Sequence, residues 1–182
     1  EGMLVGLQDY IDSRPGGDIL IVLHQMGNHG PAYYKRYPPS FEKFKPTCRT
    51  NELNKCSNEE INNAYDNAVL YTDYFLYQII QLLKHNDGRF ETAMIYMSDH
   101  GESLGEKGLY LHGLPYVIAP DNQKHIAAMF WLGKNLNERK KSLKHKINEE
   151  YTQNNLFHTV LGLLEVNTSL YDQGKDIIFS GD

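Results

Sequence analysis

Met94-Ile95-Tyr96-Met97, running on into Ser98-Asp99-His100-Gly101-Glu102-Ser103-Leu104-Gly105, decides the fold. The apolar run Thr92–Met97 has the length and composition of a buried strand, and it stops abruptly at a polar, glycine-bearing segment. Adjacent residues on a regular strand point to opposite faces, so Asp99 and His100 share one ion only if the strand has already ended. Gly101, Gly105 and Gly108 supply the loop that this requires. A carboxylate oxygen and an imidazole nitrogen are both ligands for Zn²⁺, and Gly101 removes a side chain that would crowd an ion held close to the backbone. Two ligands do not complete a catalytic zinc site, which takes three protein ligands and an open position, so more must come from elsewhere.

Outward from this stretch the elements alternate. Asp18–Leu23 is a second apolar run, bounded by Pro15-Gly16-Gly17 and Gly27, and is expected to be a buried strand with His24 at its end. Ser57 and Glu60 form a capping box, after which Ile61, Tyr65, Ala68, Thr72, Phe75, Ile79 and Leu83 recur at helical spacing to about His85. Ile126–Trp131 reads as a further strand and Leu156–Leu164 as a second helix. The tract from 134 to 152 is polar and lysine-rich and reads as a loop or exposed helix. Strands alternating with long helices predict an α/β layered fold with a mostly parallel sheet, whose working groups lie beyond the carboxyl ends of strands. His24–Gly30 and Ser98–His112 both follow strands in this way.

The 182 residues, 41% hydrophobic and 23% charged, suit a folded domain with a sizeable core. A net charge of -5 gives no basis for nucleic-acid binding, which rests on clustered Lys and Arg. The one basic block, Arg139-Lys140-Lys141 with Lys144, His145 and Lys146, reads as a solvated face; docking to anionic membrane lipid is the other reading. No stretch reaches the length of a membrane span, no signal peptide is visible, and the start at Glu1 leads us to expect a piece of something longer. Cys48 and Cys56, with seven residues between them, are either a short-loop disulfide or two unrelated thiols.

Of the eight histidines, His85 and His145 sit in polar settings, and His125 and His158 read as structural. His24 is a candidate for supporting a metal ligand, on a par with a structural role. His29, in Gly27-Asn28-His29-Gly30-Pro31, and His112, in Leu111-His112-Gly113, lie in glycine-flanked loops where they could contact an anionic substrate or a second metal. Glu102 is a candidate general base or a group that orients His100, against a solvated loop carboxylate. Ser98 and Ser103 lack an activating partner, and neither a Gly-x-Ser-x-Gly elbow nor a phosphate-binding P-loop is present.

Taken together, His24-Gln25-Met26-Gly27-Asn28-His29-Gly30-Pro31, Tyr33-Tyr34-Lys35-Arg36-Tyr37-Pro38, Tyr65-Asp66-Asn67, Ser98 to Gly105 and Tyr110-Leu111-His112-Gly113 carry a resemblance. From about Met3 to Leu164 the chain resembles the periplasmic catalytic domain of the lipid A phosphoethanolamine transferases, the family that includes the mobile colistin resistance enzymes. The resemblance implies an α/β/α sandwich of the alkaline phosphatase and sulfatase type, and zinc-dependent transfer of phosphoethanolamine from a phospholipid donor to lipid A or a similar acceptor. Asp99 and His100 match two zinc ligands, His29 and His112 match histidines of the substrate phosphate or additional-zinc region, and Cys48 and Cys56 match a disulfide. The family's nucleophilic threonine and a zinc-binding glutamate lie upstream of anything present here, as does the membrane domain that holds such a protein at the periplasmic face of the bacterial inner membrane. Residues 1–182 are therefore expected to be the C-terminal part of the catalytic domain, inactive alone and exposing sheet surface that the upstream half would cover. A sulfatase or phosphatase of the same superfamily and a non-catalytic metal-binding or structural module are the competing readings.

Overall fold

A computed structural model describes residues 2–180 of the chain. Helix α1 (Leu7–Asp12) precedes the long α2 (Asn58–Asn86), followed by strand β1 (Ala93–Met97), the short strands β2 (Ser103–Leu104) and β3 (Tyr110–Leu111), and α3 (Asp121–Lys124). Strand β4 (Ala128–Leu132) and helices α4 (Asn137–His145) and α5 (Asn154–Leu163) complete the order. Two compact units result, one from residues 1–7, 21–81 and 95–130, the other from 8–20, 82–94 and 131–182.

The start of α2 is the capping box read from the sequence. Glu60 N–H donates to Ser57 Oγ at 3.2 Å, and Ser57 N–H returns a bond to Glu60 Oε2 at 2.8 Å. This reciprocal pair satisfies two amides that would otherwise have no partner. Ile61, Ala64, Ala68, Phe75 and Leu76 then form the buried stripe of the helix. In the first unit Ile61 and Ala64 of this stripe pack into a core with Tyr33, Cys48 and Leu53, against which Tyr65, Leu104, Tyr110 and Leu111 also lie. Cys48 and Cys56 form a disulfide beside that core. Asn67, fully buried on α2, accepts from the amides of Lys43 and Phe44 and donates to the Phe44 carbonyl, fixing the loop that leads to the disulfide.

In the second unit Asp87 gathers the chain just past α2. It accepts from the Thr92 hydroxyl at 2.8 Å and from the Lys134 amide at 3.2 Å. Thr159 on α5 accepts from the Ile177 amide and donates to the Asn155 carbonyl, which ties the buried Ile177 and Ile178 to that helix.

The described strands form two two-stranded ladders, β1 with β4 and β2 with β3. The second is antiparallel, with Ser103 opposite Leu111 and Leu104 opposite Tyr110. At the ends of the first, Ser98 N–H donates to Ala127 O and Gly133 N–H to Thr92 O, the register of an antiparallel pair. The chain is α/β, as its alternation of helix and strand predicts. The parallel pairing is not found in these ladders. Asp18–Leu23 joins no ladder among the described residues, so the strand expected there is not formed. Leu20 and Val22 stand 60% and 80% exposed where burial was expected. The expected strand at Ile126–Trp131 is β4, shifted to begin at Ala128, and the lysine-rich tract contains the exposed helix α4.

Candidate active site

All of the site residues belong to the first unit. β1 ends at Met97, so Asp99 and His100 lie in a loop, as their convergence on one ion requires. Asp99 Oδ1 is 3.8 Å from His100 Nε2. That gap is within reach of one ion, because two ligand bonds of about 2.0–2.2 Å span up to roughly 4 Å. The Asp99 side chain is 78% exposed, so the open side of this pair faces outward.

Three histidines from three loops meet here. His29, His100 and His112 each offer a nitrogen within 4.8 Å of the others, a set able to hold a metal ion. His100 and His112 stack with centroids 3.7 Å apart, and His29 stands edge-on to both. The backbone contacts orient the rings. His29 Nδ1 lies 2.7 Å from the Gly30 carbonyl and His100 Nδ1 lies 3.0 Å from the Gly101 carbonyl. His112 Nδ1 faces Glu102 Oε1 at 3.4 Å. An acceptor beside Nδ1 favours the tautomer with its proton there, which leaves Nε2 as the lone-pair side for an ion.

Glu102 is the centre of this arrangement. Its side chain is only 5% exposed, and Oε1 takes the Gly30 amide at 2.8 Å while lying 3.4 Å from His112 and 3.9 Å from His29. Oε2 takes a very short hydrogen bond from the Tyr33 hydroxyl. Burial first, and then the Glu102 bond and charge, push the Tyr33 phenol far above its ordinary range, so it stays a donor. Glu102 thus contacts His112 and His29, whereas the sequence reading aimed it at His100. Tyr33 as its partner carries no sequence signal, because the contact depends on how the Gly30-Pro31 turn folds back.

Close packing sets the loops. A Cβ on Gly101 would clash with the Asn122 carbonyl, so the glycine is needed for the approach of α3. Gln123 fixes the same approach by accepting from Gly101 N–H and donating to Ser103 Oγ. Ser103 is fully buried, which agrees with its lacking a nucleophilic role. A Cβ on Gly30 would meet Leu111 Cδ2 at 2.5 Å. Leu111 itself has φ of 63°, a left-handed conformation costly for a leucine, directly before His112. The His29 loop is held by Arg36 Nε donating to the His29 carbonyl and by Thr72 on α2 donating to Asn28 Oδ1. His24 is exposed in the extended segment and takes no part in these contacts. His125 caps α3 through its backbone amide with its side chain exposed, and His158 accepts from the Asp172 amide in the second unit.

Comparison with known proteins gives this geometry a lineage. The chain is 51% identical to phosphoethanolamine transferase EptA of Salmonella typhimurium over 98% of its own length but 33% of that protein's. In three dimensions it matches the C-terminal periplasmic domain of phosphoethanolamine transferase EptC from Campylobacter jejuni, with TM-score 0.91 and 47% identity over 97% of this chain and 56% of that one. It also matches the integral membrane protein lipooligosaccharide phosphoethanolamine transferase A of Neisseria meningitidis, with TM-score 0.90 and 41% identity over 96% of this chain and 33% of that one. The chain thus spans about one third of the length of the curated relative and just over half of the solved periplasmic domain. Residues 1–166 match the Sulfatase family, and the chain belongs to it.

Proposed function

We propose that this chain is the C-terminal part of the catalytic domain of a zinc-dependent phosphoethanolamine transferase. The whole protein moves phosphoethanolamine from phosphatidylethanolamine to a lipid A phosphate or another surface acceptor at the periplasmic face of the inner membrane. The relatives' printed functions support the reaction, and the meeting of His29, His100 and His112 beside Asp99 is the observation that carries the reading. No helix among the described residues is long and apolar enough to cross a membrane.

Asp99 Oδ1 and His100 Nε2 suit two positions of a zinc site, with the remaining protein ligand and the nucleophile supplied from the upstream part of the domain. Bound zinc supplies Lewis-acid stabilisation of the phosphoryl oxygens and a lowered pKa for the attacking hydroxyl. His29 and His112, partly exposed beside the pair, hold the transferring phosphoryl oxygens or move a proton at Nε2. Glu102 keeps both imidazoles turned so that Nε2 faces the substrate.

Replacing His100 by Ala in the complete protein tests the assignment. Zinc content and phosphoethanolamine transfer are both expected to fall to background. Normal zinc with retained transfer would sink the reading.

A further inference from the structure

Immediately beyond His112 the chain makes an apolar turn that none of the chemistry above uses. Leu114, Tyr116, Val117 and Ile118 are 36, 79, 92 and 67% exposed, so consecutive large apolar side chains stand in solvent around Pro115. A contiguous exposed apolar run is a feature to be explained, because scattered single residues are the norm at a surface. The turn is nevertheless well built. The Pro115 carbonyl accepts from both the Ile118 and Ala119 amides at 2.9 Å, and Ala119 is buried at its base. The Lys124 ammonium lies 5.4 Å from the centre of the Tyr116 ring while also pairing with Asp121.

We propose that the turn Leu114–Ile118 seats in the interfacial layer of a phospholipid bilayer and thereby presents a lipid headgroup to the histidines. Three observations favour a bilayer over a protein cover. The turn closes two backbone hydrogen bonds on its own Pro115 carbonyl, whereas Asp18–Leu23 joins no ladder among the described residues and offers its backbone to a strand from another part of a protein. An aromatic ring with a lysine at its base is the combination that membrane interfaces retain, the ring at headgroup level and the ammonium beside lipid phosphate. His112 lies one residue from Gly113, where the turn begins, so a headgroup beside the inserted turn is close to the site.

The headgroup part of this inference rests on the proposed function, and the test separates the two. In the complete, metal-loaded protein, Tyr116→Trp is reconstituted into vesicles of phosphatidylethanolamine and phosphatidylglycerol with brominated acyl chains. Fluorescence is read as the difference from the unsubstituted protein. In parallel, a Val117→Ser/Ile118→Ser variant is assayed on vesicle phosphatidylethanolamine and on a water-soluble phosphoethanolamine ester. The expected result is quenching at position 116 by brominated lipid. Transfer from vesicles should fall by at least about tenfold, since two apolar contacts with lipid are lost, with unchanged turnover of the soluble ester. Absence of quenching, as a protein cover over the turn would give, overturns the proposal. So do equal losses on both substrates, which would make the turn structural, or no loss on vesicles. Failure of the unsubstituted protein to turn over either donor would instead defeat the proposed function, while quenching at position 116 still decides whether the turn enters the bilayer.

Discussion

Ala93–Met97 and Asp18–Leu23 carry the same sequence signal, a short run rich in large apolar residues between turn-forming residues, yet only the first becomes a strand. β1 has a partner in β4, and Met94 is buried at 8% exposure. Asp18–Leu23 has no ladder partner among the described residues, and Leu20 and Val22 are left in solvent. Between Leu20 and Met26 the exposure alternates residue by residue, so the segment has the pleat of a strand without the pairing. Apolar side chains on both faces are what a central strand of a covered sheet needs. Apolar composition therefore reports what a segment is fit to bury, whereas pairing depends on whether a neighbouring strand is part of the same chain.

The largest effect that would break this contrast is a charge placed in each segment. Met94→Asp puts an unpaired carboxylate into β1 and is expected to cost about 4 kcal/mol, a large fraction of the ~5–15 kcal/mol that holds a typical domain. Val22→Asp in the same chain is expected to stay within about 0.5 kcal/mol, because the side chain is already 80% exposed. In a longer protein that carries the rest of the domain found in the solved relative, Val22→Asp should approach the cost of Met94→Asp. Denaturant unfolding of both variants in both lengths reads this directly. A Val22→Asp cost that does not change with chain length would mean that nothing covers the segment.

The histidine loops lie on the other side of the same contrast, since the contacts that orient their rings come from residues of this chain. Glu102→Ala removes the acceptor that Gly30 and Tyr33 share and the carboxylate that faces Nδ1 of His112 and of His29. Groups that orient functional histidines are worth about 10–100-fold in activity, and a loss of that size is expected in phosphoethanolamine transfer by the complete protein, with its zinc content unchanged. Unchanged transfer would show that the rings are held by their backbone contacts alone.

How much of this was legible follows from the range of each interaction. The Ser57 and Glu60 cap is local and was fully readable, as were the long helix after it and the breaking of β1 before Asp99. Cys48 and Cys56 were ambiguous from spacing, and the family resemblance pointed to the disulfide that is formed. His29 and His112 were singled out by their glycine-flanked loops and the family resemblance put them in the region of the zinc pair, whereas spacing alone does not bring them to His100, because the three positions span more than 80 residues. Tyr33 and Thr72 were missed as supports for the site, since a hydrogen bond from Thr72 to Asn28 or from Tyr33 to Glu102 has no local pattern. The strand at Asp18–Leu23 was the reverse error, a local pattern whose non-local partner is absent from the ladders described.

The smallest effect tests the outer end of the β1–β4 ladder, where Asp87 joins Thr92 to Lys134. The Thr92 hydroxyl chiefly, then the Lys134 amide and the ammonium groups of Lys134 and Lys140, hold the Asp87 carboxyl below its ordinary value against the opposing pull of burial. A depressed carboxyl pKa means that the unfolded chain takes up the proton first. The stabilisation is therefore complete above the unfolded value of about 3.9 and fades as the pH falls through the lower folded value. Asp87→Asn removes the titration, so the melting temperatures of the two proteins should differ most near neutrality and converge in acid. If the difference persisted undiminished at low pH, the Thr92 and Lys134 contacts would owe nothing to the charge, and the ladder's end would be fixed by the Gly133 to Thr92 backbone bond alone.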